Sequence, residues 1–193
     1  MKNEKLKKLS HNFICIIFLL IVVIQPLWVL YQQREAFFSS GYSKTYNYLK
    51  SSYYSSQYVK KNNPGIMPDD TFEAFVGGAL LRGVNPIHIV HEHPPMGRYI
   101  IAFSILLFDN AHTLILPLLA LSLITCFLIA KIVIKNSLLA LVPVAIFSND
   151  PLFISKLQYS PLLESVQLPF ILLSLYFFIR GIKGEKSFKW FAL

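Results

Sequence analysis

The sequence predicts an all-α, polytopic membrane protein, and three observations predict it. Hydrophobic residues make up 54% of the 193 and give a mean hydropathy of +0.52. They come in long blocks, whereas a soluble domain, about 45–50% apolar, scatters them through short amphipathic segments. Asn12 to Tyr31 holds no charge over twenty residues, and Thr113 to Ala130 holds none over eighteen. At about 1.5 Å per residue, either block crosses a hydrocarbon core about 30 Å thick. Basic residues gather beside these blocks, as they do where a chain is held on one side of a bilayer. A pair of helices buried in a large soluble core is the rival reading, and their length argues against it.

Lys2, Lys5, Lys7 and Lys8 precede the first block. A cleaved signal peptide also starts this way, but its apolar core is usually about 7–15 residues and ends at a small-x-small site. No such site follows Trp28, so a retained anchor is expected, with residues 1–11 cytoplasmic and 12–31 spanning. Lys131 with Lys135, and Arg180 with Lys183, Lys186 and Lys189, also ask for the cytoplasmic side. Tyr99 to Phe108 is an apolar run of only ten residues, a length more often re-entrant or interfacial. Counting it as a span gives five crossings and leaves both later clusters outside. Counting it as interfacial gives four, at about 12–31, 112–134, 136–150 and 162–180, with every basic cluster inside. The four-span reading is preferred. It places 32–111 outside as a long loop, with a short external loop around Asn149 to Pro161. A segment over 181–193 then leads toward a further span.

In the long loop, Tyr42, Tyr46, Tyr48, Tyr53, Tyr54 and Tyr58 suit a headgroup-level surface, with a tyrosine-lined sugar or lipid groove as the alternative. Asn63-Pro64-Gly65 signals a turn. Pro68-Asp69-Asp70 then starts a helix whose apolar residues Phe72, Phe75, Val76, Ala79 and Leu80 recur at intervals of three and four. That pattern predicts an amphipathic helix lying along the membrane surface.

Asp69 and Asp70 are acids at a helix start, where capping is the commonest role. Near the bilayer a partly desolvated carboxylate can also serve as a general base. His91-Glu92-His93-Pro94-Pro95-Met96-Gly97-Arg98 leads into the short apolar helix. Arg98 gains nothing from a helix N-terminus, so another partner is expected, either a phosphate or lipid headgroups. His88, His91 and His93 match no common zinc spacing, and no metal is expected. Glu164, in Ser160-Pro161-Leu162-Leu163-Glu164, is an ionisable residue in an apolar stretch, which marks either a functional site or a helix-start acid. Cys15 and Cys126 fall inside expected spans and read as small core residues. Net charge is +8, but topology accounts for it and no nucleic-acid partner is expected. No Walker loop, GxGxxG or G-x-S-x-G motif is present, so no nucleotide cofactor is expected.

Three stretches together resemble one family: Pro68 to Ala74, Leu80 to Pro86 and His93 to Tyr99. They look like the first external loop of GT-C glycosyltransferases, the group of protein O-mannosyltransferases and lipid A aminoarabinose transferases. Asn149 to Ile154, Leu162 to Glu164 and Tyr176 to Phe178 also resemble this group. The similarity covers about 65–193, and the order and spacing of its motifs carry it. It implies a GT-C-like helix bundle with interfacial helices in the first loop. It further implies sugar transfer, with inversion, from a polyprenyl-phosphate sugar donor to a protein or lipid acceptor on the outer or lumenal face. By that resemblance Asp69 is the general base, Asp70 assists, Glu164 is a second acid, and Arg98 and His93 bind substrate. Two departures stand out. Tyr159 occupies a place where the family often has arginine, and four spans fall short of the nine or more expected, as in a truncated chain. The rivals are a non-catalytic membrane protein that binds or carries polyprenyl-phosphate lipids, and a channel or transporter subunit. The latter is disfavoured because the ionisable residues lie outside the expected spans.

Overall fold

A computed structural model describes residues 2–62, 64–85, 88–89 and 95–183, with backbone only for 2–12. Helices dominate, and three of them are long and apolar enough to cross a membrane. The chain is an all-α membrane protein. Its first helix, α1 (Lys2–Gln32), contains the apolar stretch Phe13–Gln32. A short α2 (Arg34–Phe38) and a tyrosine-rich α3 (Tyr42–Ser55) follow. Next come α4 (Asp69–Leu80) and α5 (Met96–Phe108). The second long apolar helix is α6 (Ile115–Ile134). Two eight-residue helices, α7 (Leu141–Ser148) and α8 (Pro151–Gln158), precede the third, α9 (Leu163–Ile182).

The long helices run in a defined order. Val29 and Leu30 pack with Ile115, Leu116 and Leu119, whereas Val22 packs toward Leu123, Cys126 and Phe127, so α1 and α6 are antiparallel. At one end of the α6–α9 pair Ile115 shares a core with Val166, and at the other Lys183 Nζ donates to the Ile132 carbonyl at 2.9 Å. These two helices are therefore parallel, and the lysine satisfies one of the orphan carbonyls in the last turn of α6. The chain must then climb back between them. Val144 and Ala145 of α7 lie beside Val22, while Phe153, Ile154 and Leu157 of α8 lie beside Val29 and Leu119. The pair α7–α8 thus runs alongside α1 over about 24 Å of helix.

Here the structure differs from the sequence expectation. The segment 136–150 is no single helix, and most of the loop expected around Asn149 to Pro161 is α8. Asn136 Oδ1 accepts from the Leu138 and Leu139 backbones, at 2.9 and 3.2 Å, which delays the start of α7. Asp150 stops it. A residue before proline disfavours the α region, and Asp150 has φ −65° and ψ 133°. Its carboxylate caps α8 by accepting from Leu152 N at 2.8 Å, with Pro151 in the first turn. Asn149 then donates to the carbonyl of Ile21 in α1 at 3.0 Å. The contact fixes α7 to α1 one residue before Val22, whose carbonyl loses its helical donor because Pro26 has no N–H.

The loop helices also depart from expectation. Tyr42, Tyr46 and Tyr53 are buried against α4 rather than lodged in headgroups, while Tyr48 and Tyr54 are exposed. Helix α4 is buried continuously from Phe72 to Ala79, so it is a core helix and not a surface one. Its glycine positions are packing surfaces. Gly78 faces Tyr42, whose hydroxyl donates to the Ala74 carbonyl at 2.6 Å. Gly97 in the first turn of α5 lets Leu163 of α9 sit where a Cβ would be 2.8 Å from its Cδ2. Helix α5 is two-faced: Arg98, Ile101, Ala102 and Ile105 are buried, whereas Tyr99, Phe103, Leu106 and Leu107 are exposed. An exposed apolar face on a 13-residue helix suits a membrane surface.

Gly78→Ala tests the close contact. A Cβ there would lie 2.8 Å from two ring carbons of Tyr42. The strain of overpacking, about 1–3 kcal/mol, outweighs the roughly 1 kcal/mol that alanine gains in helix propensity. Thermal unfolding in detergent is expected to show a net loss of stability.

Candidate active site

The acidic pair sits where α4 begins. Pro68 is extended, with φ −61° and ψ 153°, and its carbonyl takes Phe72 N at 2.9 Å to open the helix. Asp69 and Asp70 then occupy the first turn, where the helix dipole complements negative charge. Asp69 is exposed, and its Oδ1 accepts from the Tyr58 hydroxyl at 2.8 Å. Tyr58 is held by its ring, stacked on Phe72 with centroids 4.0 Å apart. The loop bearing it is clamped by Gln57, whose amide bonds both the N–H and the carbonyl of Met67 at 2.8 Å. Burial, then the bond to Asp69, pushes the Tyr58 phenol up to about 12, so it remains a donor at neutral pH. Asp70 is half-buried, and its Oδ1 accepts from Thr71 N at 2.6 Å and from Thr71 Oγ1 at 3.2 Å.

One turn further along α4 lies Glu73. Arg98 donates from Nε to Glu73 Oε2 and from Nη2 to Oε1, both at 2.9 Å. The carboxylate is 6% exposed and the arginine 0%. Sequence reasoning assigns Arg98 to an incoming phosphate; the structure shuts it inside the protein, forked onto a carboxylate. The signal for the pair is Glu73 itself, an acid inside the apolar run Phe72 to Leu80, since buried acids are nearly always paired. Glu164 lies on the first turn of α9, exposed, with Lys156 Nζ 3.7 Å from its Oε2. The carboxylate faces solvent and the contact is long, so it adds little stability. Its neighbour Leu163 joins the same core as Phe72 and Phe75. The acids of α4 and the acid of α9 thus flank one packed unit. His93 lies outside the described residues.

A second polar cluster lies in the turn between α5 and α6. Asp109 has φ 49° and ends α5. Its carbonyl accepts from Gly41 N and Tyr42 N, and its carboxylate accepts from Ser43 N at 2.8 Å and Ser43 Oγ at 3.1 Å. It therefore caps α3 from 66 residues away. Asn110 is 5% exposed and fully used, donating to Ala36 O and Ser39 O and accepting from His112 N at 2.6 Å. A cavity of about 280 Å³ opens here, lined by Ser39, Ser40, Thr45, Asp109, Asn110 and His112. His112 sets its ring against Phe37 at 5.9 Å. Its Nδ1 and the hydroxyl of Ser160 are buried without a partner. Burial lowers the His112 pKa, and the Asp70 charge and the Ser160 backbone offset part of that shift. In the sequence, Asp109 to His112 gives no sign of a cluster, because the partners lie in α2, α3 and the turn between them.

Among the described residues no three His, Cys, Asp or Glu side chains converge as metal ligands. Fold and site define an all-helical membrane protein that presents paired carboxylates at one end of its bundle, an arrangement suited to proton abstraction. The sequence profile of the dolichyl-phosphate-mannose-protein mannosyltransferase family matches residues 92–193, just over half of the chain and all of α5 to α9. The chain belongs to this family and is a membrane glycosyltransferase. No curated protein and no solved structure matches it.

The buried pair yields a direct prediction. Glu73→Ala takes the Glu73 carboxylate away from the buried Arg98 guanidinium, a loss of about 3–5 kcal/mol. The expected result is a large drop in melting temperature or in folded yield from membranes, and a stability equal to wild type would remove the pair as the link between α4 and α5.

Proposed function

We propose that the protein transfers a sugar from a polyprenyl-phosphate carrier to a hydroxyl of a protein or lipid acceptor on the outer or lumenal face. The reading rests on membership of the family together with one observation. An acidic pair opens a helix that is locked to its neighbours, with Asp69 exposed and oriented by Tyr58. In the step proposed, the Asp69 carboxylate takes the acceptor hydroxyl proton as the oxygen attacks the anomeric carbon. The bond from that carbon to the phosphate oxygen breaks, and polyprenyl phosphate leaves with the electron pair. Asp70 and Glu164 supply further negative charge at the site, and His93 keeps the substrate-binding role that the resemblance implies. Arg98 enters this reading as the residue that fixes α5 to α4, not as a phosphate ligand.

Topology supports the same face. Lys131, Lys135, Arg180 and Lys183 gather at one end of α6 and α9, and the basic N-terminus of α1 points the same way. Trp28 and Tyr31 lie at the opposite end of α1, stacked at 6.2 Å and exposed as an interfacial belt would be. With the N-terminus in the cytoplasm, α1, α6, the broken pair α7–α8 and α9 make four crossings. The α2–α5 segment, with both aspartates, then lies outside.

The test is transfer from labelled polyprenyl-phosphate mannose in membranes. Asp69→Asn is expected to lower it by about 10²–10⁴-fold, the range for loss of a general base, with insertion and thermal stability retained. Tyr58→Phe is expected to lower it far less, since the base survives and only its orientation is loosened. Unchanged transfer in Asp69→Asn would remove the base from that position. Carrier binding without transfer by the wild type would favour a lipid-carrying protein.

A further inference from the structure

The lysines where α6 and α9 end take no part in the proposed reaction, and topology alone does not require them to be held so close together. Lys131 and Lys135 are four residues apart, so they share one face at the end of α6. Lys135 closes that helix with φ 59°, and both side chains are exposed. Lys183, which ends α9, reaches across to the Ile132 carbonyl at 2.9 Å. That bond uses one of its three N–H donors and leaves two. Two like charges at this spacing already repel on a helix, and the fold brings in a third. A helix C-terminus supplies the equivalent of about half a negative charge, so the two helix ends offset only about one of the three lysines. Arg180, in the last turn of α9 with its guanidinium 5.8 Å from the Tyr176 ring centre, adds to the positive field. Among the described residues the ion pairs are Glu73–Arg98 and Lys156–Glu164, both in the other half of the molecule. Asp109 precedes α6 and Glu164 opens α9, each a helix length of about 30 Å away, and Asp150 is taken up as the cap of α8. Beside the lysines lie exposed apolar side chains, Val133 and Ile134 on α6 and Ile182 on α9.

We infer that the basic ends of α6 and α9 form a seat for an anionic phospholipid headgroup, whose phosphate bridges Lys131, Lys135 and Lys183 and clamps the two parallel helices together. The seat requires only that these helices cross a membrane; it does not depend on which side is cytoplasmic or on the transfer reaction. A phosphodiester carries the charge that the helix ends fail to supply, and its free oxygens accept from more than one ammonium group. Basic residues beside a span attract anionic lipid in this way. Here a hydrogen bond between two helices fixes where the third cation stands. The apolar rim of Val133, Ile134 and Ile182 selects the source of the phosphate. Lipid chains lie along that rim while the headgroup meets the lysines, whereas a free phosphate makes no use of it.

The test is lipid binding to the full chain, purified in detergent and stripped of lipid. Phosphatidylglycerol and phosphatidylcholine with the same acyl chains are titrated in, and bound lipid is measured by native mass spectrometry. Wild type is expected to bind phosphatidylglycerol at least about tenfold more tightly. Lys131→Gln combined with Lys135→Asn removes two exposed cations, and asparagine tolerates the left-handed backbone at 135. That pair should weaken phosphatidylglycerol binding by about 25-fold, about fivefold for each lysine, and leave phosphatidylcholine unaffected. Lys44→Gln with Lys50→Gln makes an equal charge change on exposed positions of α3 and should leave the preference intact. Should the α6 pair fail to fold, Lys183→Gln carries the test, with an expected loss of about fivefold. Equal affinity of wild type for the two lipids overturns the inference. An equal loss in the α3 variant also overturns it, because the preference is then one of net charge. Displacement of the lipid by millimolar inorganic phosphate overturns it as well, by assigning the lysines to a soluble anion.

Discussion

The loop half of this structure depends on a carboxylate and a guanidinium taken out of water together. Glu73 and Arg98 are 25 residues apart and are joined by two bonds of 2.9 Å. Neither charge is tolerable in that core alone, so α4 cannot dock without α5, nor α5 without α4. A pair of apolar residues would fill the same volume at less desolvation cost, but it would let the helices slide. The planar fork of arginine on a carboxylate fixes both register and rotation. Glu73 is one turn after the acidic pair, and that rigidity is passed directly to Asp69 and Asp70.

Small residues let the rest close around that pair. Tyr42 reaches the Ala74 carbonyl only because Gly78 has no side chain, and α9 meets α5 through Leu163 over Gly97. Tyr58 and the tyrosines of α3 then stack down one face of α4, from Tyr58 on Phe72 through Tyr53 to Tyr46 on Phe75. Arg82 caps the ladder, its guanidinium 3.5 Å from the centre of the Tyr46 ring. An aromatic ladder buried against a glycine-bearing helix is a stiff support. It carries the Asp69 end at one extremity, where Tyr58 is both the last rung and the hydrogen-bond donor.

How much of this was legible in the sequence follows from the range of each interaction. The spans of α1, α6 and α9 were readable because hydropathy over twenty residues is a local property. The helix start at Asp69 was readable from proline and acids in series. Glu73 was hidden by its own surroundings, since an acid at helical spacing in an apolar run looks solvated until its partner is known. Asp109, Asn110 and His112 were hidden more deeply. Their bonds reach 66 to 74 residues back, and in sequence they form an ordinary turn. Asp150 fell in the short external loop expected around Asn149 to Pro161, and the structure shows it at a helix break inside the bundle.

That break bears on how a polar site can sit at one end of an apolar bundle. A straight helix between α6 and α9 would leave Asn149 and Asp150 inside a span with nothing to bond. Broken, the segment spends both. Asp150 caps the helix it starts, and Asn149 ties the end of α7 to the Ile21 carbonyl of α1. Polar groups placed in a bundle are usually a sign of a pathway or a binding site, but these two are consumed by the backbone. The acids at the start of α4 and α9 differ, because Asp69 and Glu164 reach solvent. Helix α8 is what separates the two populations: it lifts the chain from the level of Ile21 to the level of Leu30, where α9 can begin beside α5. Its eight residues set the height at which Glu164 emerges.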